Sequence, residues 1–487
     1  MAASTTRSRS WGDSEEQPLL QQVEHGNSAE ALATPLPLGQ LSILMYMRFS
    51  ESMGVFFILP FLNELLLQLA SGDQARAAYL LSFLEVVTYS TSILMIMVWS
   101  RLSDRIGRKP VIATGAAALA ASALLVGLSS EVWILVISRA IYLGLNNTEA
   151  AIRCVVGEIT DDTNSAAAFA MLHIPSTIGS ALGPLVGGYL VHPHLRFPNT
   201  FPGDIWEKLP FLLPSVTVTA ITVLGLLMVC FWLRETLTLK TSSIEGSAGD
   251  MEPKPDPVEI RSLMTPRVIL TTLNYIAFSV VYVGGFILHP LFLSMSVSDG
   301  GLGLTSARIG LIQSIRGITS SVAQSLLVGS FIRRFGLRTA FMIAIAAHIP
   351  TFLLFPLMNI SEKQPDIAGP TNSGLETITW ILLVIQSCFT TLIDCGFACI
   401  YIYITQSSPS KASLGSINGI TQVPVTASRL AGSTFTSFML GVSISRGWMG
   451  GYAVYAVLSL MTCACVVIAR KLPRDGWETD RVVGEDI

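Results

Sequence analysis

Stretches of about twenty apolar residues, each long enough to cross roughly 30 Å of hydrocarbon, recur along this chain and constrain its fold more than any other feature. Twelve are read, at about 40–62, 78–99, 110–129, 132–154, 168–191, 211–233, 268–292, 307–331, 339–358, 378–404, 415–440 and 449–469. In lipid every backbone polar group must be satisfied within its own segment, so runs of this kind predict helices. The expected class is therefore an all-α membrane protein with twelve transmembrane helices. Only 13% of the 487 residues are charged, against about 25% in a soluble protein. With a net charge of −3, nothing draws the chain to polyanions, and a nucleic-acid partner is not expected.

The expected organisation is a disordered, cytosolic N-terminal tail over 1–38, a six-helix half over 39–233, a cytosolic linker over 234–267, a second six-helix half over 268–470 and a cytosolic tail over 471–487. Lys and Arg set the orientation. Nineteen lie in segments on the side of the N-terminus and about six on the other. Both termini and the linker are accordingly placed in the cytosol. Seven cysteines all fall in apolar runs and read as small buried residues. The six histidines, His25, His173, His192, His194, His289 and His348, are scattered, so no metal site and no cofactor is expected.

The halves repeat one another. Ser100, Asp104, Arg105, Gly107, Arg108 and Lys109 follow the second span, and Gly329, Arg334, Gly336 and Arg338 follow the eighth. Both are read as cytosolic turns, and two related six-helix halves suggest alternating access around a central site. The stretch 100–109 resembles the G-x-L-x-D-R-x-G-R-K signature of the major facilitator superfamily, with serine for its first glycine. By that resemblance Asp104 pairs with arginine as a latch, and Asp104, Arg105, Gly107, Arg108, Arg334 and Gly336 form the gating turns.

Gly179, Gly183, Pro184, Gly187 and Gly188 match the G-x-x-x-G-P-x-x-G-G pattern of the superfamily's drug:proton antiporters. Glycines four apart present a flat stripe for close helix contact, and Pro184 is expected to bend the helix. Arg139 occupies the arginine of the helix-four signature R-x-x-x-G, with Leu143 at its glycine position and Gly144 next. At finer grain the chain resembles a fungal branch akin to the zinc-induced-facilitator-like transporters. That likeness rests on Arg48 to Glu51, Phe83 to Glu85, Gly157 to Asp161, His192-Pro193, Gly300 to Gly303, Asn418-Gly419 and Arg429.

An ionisable group at membrane depth costs several kcal/mol unless paired or hydrated, so each is a candidate for function. Glu51 lies near mid-span with Arg48 three residues earlier on the same face. Glu85 and Arg139 have similar depth, and the two are expected to meet across the bundle. Glu149 and Arg153, four apart, read as a pair near the cytosolic end of span four. Glu158, Asp161 and Asp162 read as solvated loop charges. Asp394 is expected to bond an arginine, either Arg316 or Arg429. The proton-coupling candidates are thus Glu51, Glu85, Arg48, Arg139 and Asp394, and the substrate-binding candidates are Arg316, Arg429, Tyr275 and Tyr282, with Phe389 and Tyr403 as further aromatic candidates.

The function expected is a proton-coupled secondary transporter that exports a small organic molecule; metal, peptide or nutrient transport on the same fold is the alternative, and a non-transporting receptor a lesser one. No catalytic cluster is found and no enzyme is expected. A monomer in the plasma or vacuolar membrane is expected, with an acidic dileucine signal at Leu19-Leu20 favouring the vacuole. Asn146 and Asn359 fit the glycosylation pattern but lie within or too close to the bilayer.

Overall fold

The computed structural model describes residues 34–161, 164–236, 264–363, 373–407 and 414–474. The Leu19-Leu20 signal, Asp162 and most of the linker lie outside these. Among the described residues the regular structure is helical throughout, with no strand. The first half comprises α1 (Leu38–Phe56), α2 (Leu62–Leu69), α3 (Gln74–Ile106), α4 (Arg108–Gly127), α5 (Val132–Leu145), α6 (Thr148–Ile159), α7 (Ser165–Tyr189), α8 (Pro193–Arg196), α9 (Asp204–Lys208) and α10 (Leu212–Trp232). The second comprises α11 (Pro266–Ser294), α12 (Ser306–Phe335), α13 (Leu337–Ala346), α14 (His348–Lys363), α15 (Ser373–Ser407), α16 (Leu414–Arg446) and α17 (Ala453–Ala469).

Local chemistry sets the helix ends. The Asp73 carboxylate accepts the N–H groups of Ala75 and Arg76 at 2.9 and 3.1 Å and starts α3. Thr265 caps α11, with Pro266 at its first position. Gly107 (φ 99°) and Gly336 (φ 75°) stop α3 and α12 in a backbone region that L side chains avoid. Among the described residues six helical stretches are each long and apolar enough to cross a membrane: Gln74–Met95, Arg108–Gly127, Leu212–Trp232, Pro266–Ser294, Leu337–Lys363 and Thr377–Ser407.

Four expectations need correction. The first and fourth spans are broken: α1 stops at Phe56 and α2 resumes at Leu62, and α5 gives way to α6 at Asn146 and Asn147. The two gating segments are mostly helical, because α3 continues to Ile106 and α12 to Phe335. Only Gly107 and Gly336 make the turns, since extended helices keep backbone groups paired at no cost until glycine ends them. Span nine is also interrupted, α13 ending at Ala346 and α14 starting at His348. Finally, Cys154, Cys230, Cys388 and Cys463 are exposed on the bundle; only Cys395, Cys399 and Cys465 are buried.

The glycine stripe explains how the first half packs. A Cβ on Gly179, Gly183 or Gly187 would lie 2.3 Å from Phe49 O, 2.7 Å from Met53 O and 1.8 Å from Phe57 O. Backbone therefore meets backbone along α7 and α1. Gly188 faces the other half, where its Cβ would lie 2.2 Å from Ser306 O.

Gly107 and Gly336 mark one end of the bundle, here the basic face. The halves are joined toward the opposite face. Asn63 donates to Ser294 at 3.2 Å, Ser306 to Glu64 at 2.5 Å and Ser82 to the Thr434 carbonyl at 3.1 Å. Tyr79 and Ser445 share a bond of 3.3 Å. The bundle is thus closed at the face carrying Asp73, His192 and Ser306.

Candidate functional site

Two charged centres lie inside the bundle, one in each half. In the first, Arg48 Nη1 and Glu51 Oε2 pair at 2.9 Å, one turn apart on α1. Glu51 is 7% exposed. Its second oxygen accepts the Asn146 amide at 3.2 Å. Asn146 stands at the break between α5 and α6, and Gly115 allows the close approach there, since its Cβ would lie 2.1 Å from Thr148 Oγ1. Arg48 also reaches Glu149 at 3.4 Å and Ser176 on α7 at 3.4 Å. Glu149 in turn pairs with Arg153 on α6. The two pairs expected separately thus form one network of four charges.

Glu85 on α3 lies within electrostatic reach of Arg139 on α5, yet the two form no direct ion pair. The expectation that they meet is corrected to that extent. Across the interface, Tyr89 feels both Glu85 and Arg429, so this carboxylate stands between the halves.

The second centre is built differently. A cavity of about 230 Å³ is lined by Phe56, Tyr282, Phe286, His289, Gln313, Arg316, Ser320, Asp394 and Phe397, among others. Asp394 accepts a hydrogen bond of 2.5 Å from Ser320, one helix over on α12. It forms no ion pair with Arg316 or Arg429, contrary to expectation; its hydrogen-bond partners are the hydroxyls of Ser320 and Tyr282. Arg316 acts on Asp394 only through space. Arg429 donates instead to the Tyr275 hydroxyl at 3.2 Å, which also shares a bond with Tyr401 at 3.1 Å. Tyr275 is fully buried, whereas Tyr282 lines the cavity. Phe389 packs partly buried against the core, and Tyr403 is buried and donates to Pro473 O at 2.7 Å.

The turn at Gly107 is held by residues the sequence did not single out. Glu235 accepts the N–H groups of Arg108 and Lys109 at 2.9 and 3.1 Å, a carboxylate at a helix N-terminus. Glu158, expected to be solvated, pairs with Arg108 at 3.4 Å and accepts from Thr236 at 2.5 Å. Its exposure was misjudged because the partners arrive from segments 50 and 78 residues away. Arg105 and Arg334 are exposed, and the Asp104 side chain lies outside the described set. Asn359 is buried and donates to Val297 O and Gly301 O, so it is no glycosylation site.

A third cluster was also missed. His192, with φ 52°, turns the chain after α7 and its Nε2 lies 2.5 Å from Glu64 Oε1. Ser306, the first residue of α12, binds the other oxygen. Burial pushes the Glu64 carboxyl up, but the bonds from His192 and Ser306 outweigh it and hold the group below the usual range. One carboxylate thereby ties the halves at the closed face.

These features can be set beside known proteins. The Major Facilitator Superfamily model matches residues 44–433. The chain is 27% identical over 489 residues to the major facilitator-type transporter psiT2 of Psilocybe cyanescens, covering 90% of this chain and 91% of that one. It is 25% identical over 504 residues to the major facilitator superfamily multidrug transporter mfsB of Aspergillus fumigatus, covering 86% and 80%. ZINC INDUCED FACILITATOR-LIKE 1 of Arabidopsis thaliana is 28% identical over 233 residues, 45% of this chain and 48% of that one. Among solved structures, a bacterial homolog of the human lysosomal transporter Spinster superposes with a TM-score of 0.61 at 15% identity, covering 88% and 93%. Buried charges, a repeated glycine turn and a helical bundle in two halves thus meet in one family: the chain belongs to the major facilitator superfamily and is an integral, multi-pass membrane transporter of small molecules.

Proposed function

We propose that this transporter exports a small organic molecule in exchange for protons, working as a monomer with its termini and linker in the cytosol of a plasma or vacuolar membrane. The observation that carries the reading is Glu51: a carboxylate near mid-membrane, buried, with one arginine and one amide as partners. An arrangement of this kind gives a proton two states to choose between. With Glu51 ionised, Arg48 is held on α1. With Glu51 protonated, Arg48 is released toward Glu149, already 3.4 Å away, and Ser176 on α7. That shift acts on the α1–α7 contact, which the glycine stripe makes backbone to backbone. Glu85 is the second carrier in this scheme, because it lies between Arg139 in one half and Tyr89 and Arg429 at the seam with the other. The name of an Aspergillus niger relative, the efflux pump azaK, 22% identical over 448 residues, favours export.

In the cycle, substrate enters the central cavity from the cytosolic side while the opposite face is closed. The turns at Gly107 and Gly336 then rearrange as the halves rock, the opposite face opens, and a proton taken from outside resets the cycle. The test uses everted membrane vesicles acidified inside and a panel of aromatic metabolites followed by mass spectrometry. Accumulation of one or more compounds is expected, abolished by dissipating the gradient and lost in Glu51→Gln and Glu85→Gln. Accumulation that ignores the gradient and survives both substitutions would falsify the reading.

A further inference from the structure

Leaving aside Arg308 at the very start of the eighth, nine charged side chains lie within the spans: Arg48, Glu51, Glu85, Arg139, Glu149, Arg153, Arg316, Asp394 and Arg429. Five are arginines and four are carboxylates, which leaves one positive charge uncompensated. The surplus is not shared evenly. In the first half Arg48, Glu51, Glu149 and Arg153 pair among themselves, and Glu85 answers Arg139. In the second half two arginines face one carboxylate.

Of those two, Arg429 has the Tyr275 hydroxyl. Arg316 has neither a hydrogen bond nor an ion pair, although it lines the cavity with Asp394. Asp394 acts on it only through space, its hydrogen bonds going to the hydroxyls of Ser320, at 2.5 Å, and Tyr282. Arg316 lies ten residues into α12, about 15 Å at 1.5 Å per residue, too deep for its head group to reach either membrane face. A guanidinium has five donors in a fork that fits a carboxylate or phosphate, and it keeps its charge at any working pH. Two further polar atoms are buried without partners on the same cavity wall: His289 Nδ1 and Gln313 Oε1. Their residues are 3% and 7% exposed. Rings line the same cavity. Tyr282 and Phe397 meet edge to face at 4.6 Å, Tyr282 and Phe286 stack at 6.4 Å, and Phe56 of the other half meets Phe286 at 6.1 Å.

We propose that the cavity of the second half is an anion site, in which Arg316 takes the acidic group of a small aromatic acid, the ring lies between Phe56, Tyr282, Phe286 and Phe397, and a hydroxyl or N–H on that ring reaches Gln313 or His289. The proposal rests on reading the central cavity as the transport site and adds the class of substrate. A bound anion also gives the Arg316 guanidinium the direct hydrogen-bonded partner it lacks in the empty cavity. Asp394 then acts as a gatekeeper by repulsion, turned away from Arg316 by Ser320 while the acid is bound.

The test measures binding to the purified full chain by the shift in its unfolding temperature. Four matched probes share one ring: 4-hydroxybenzoate, 4-hydroxybenzamide, 4-hydroxybenzylamine and 4-hydroxyphenyl phosphate. The expected result is binding of at least one acid at least tenfold tighter than the amide or the amine. Arg316→Gln is expected to remove that preference while unfolding at the parent temperature without ligand. Arg316→Lys, which keeps a charge but not the fork, is expected to restore part of it. A tighter fit of the phosphate or of the carboxylate identifies the acidic group. Equal binding of the amine or amide, binding of neither acid, or full acid binding in Arg316→Gln each overturns the proposal. The same preparations in proteoliposomes separate the two readings. Acid binding without gradient-driven transport defeats export by proton exchange and leaves the anion site standing. Gradient-driven transport of the amine, insensitive to Arg316→Gln, does the reverse.

Discussion

The charged centre of the first half is a closed network; that of the second is an open one. Arg48 has three partners on three helices, whereas Arg316, at comparable depth, has none. A side chain with its partners built in is part of the scaffold and moves only when a proton changes them. One without partners waits for something brought from outside. On the function proposed above, the two halves of a repeated fold divide the labour, one sensing protons and the other holding cargo.

The contrast can be broken most directly by removing each arginine. Arg48→Leu leaves Glu51 with the Asn146 amide but without a counter-charge, and a loss of about 3–5 kcal/mol is expected, as for other broken buried pairs. Arg316→Leu removes a charge with no direct hydrogen-bonded partner and is expected to leave stability within about 1 kcal/mol or raise it. Thermal unfolding in detergent reads both, and equal losses would erase the distinction.

The paired turns offer the next largest effect. Alanine at Gly107 or Gly336 forces a positive φ on an L residue, costing about 1–3 kcal/mol. At Gly107 its Cβ would also lie 2.4 Å from Glu235 Oε2, so Gly107→Ala should be the more damaging by both unfolding temperature and transport rate. Coupling energies come third. A double-mutant cycle on Arg48 and Glu51 is expected to give about 1–2 kcal/mol, and one on Arg316 and Asp394 within about 0.5 kcal/mol of zero.

The smallest effect concerns the closed face. The Glu64 carboxyl is held below its usual value, so the stability it lends is present above that value and is lost as pH falls through the lowered one. Hydrogen exchange over 62–69 and 304–312 should stay slow down to about pH 4, near the ordinary carboxylate range, and speed up below it. Glu64→Gln should remove the acid dependence. Exchange that quickens between pH 7 and 5 in the parent would mean that another group holds the face shut.

Most of the architecture was legible because lipid leaves helices few alternatives. Apolar length located the spans, and glycine spacing identified the stripe that packs α7 on α1. Local pairs such as Arg48 with Glu51 and Glu149 with Arg153 could be read from helical spacing alone. What escaped depends on partners far apart in sequence. Nothing near Glu235 announces that Arg108 and Lys109 will present their N–H groups to it, and Glu64, His192 and Ser306 come from three distant segments. The break at Asn146 and Asn147 left a trace, two adjacent asparagines within an apolar run. It was overlooked because hydrophobic length alone set the span. Asp394 was paired with an arginine on general grounds, while a serine at close range competes for a carboxylate just as well.

Where α7 meets α12, Gly188 and Gly310 face one another with no side chain between them, and a Cβ on Gly310 would lie 2.3 Å from Pro184 O. Interlocked side chains would have to change rotamers and climb over each other before the halves could part. Two bare stretches of backbone have nothing to unlock. The contact is close enough to seal against water yet smooth enough to shear, so the rate at which this face opens is set by the few polar bonds beside it and not by friction in the seal.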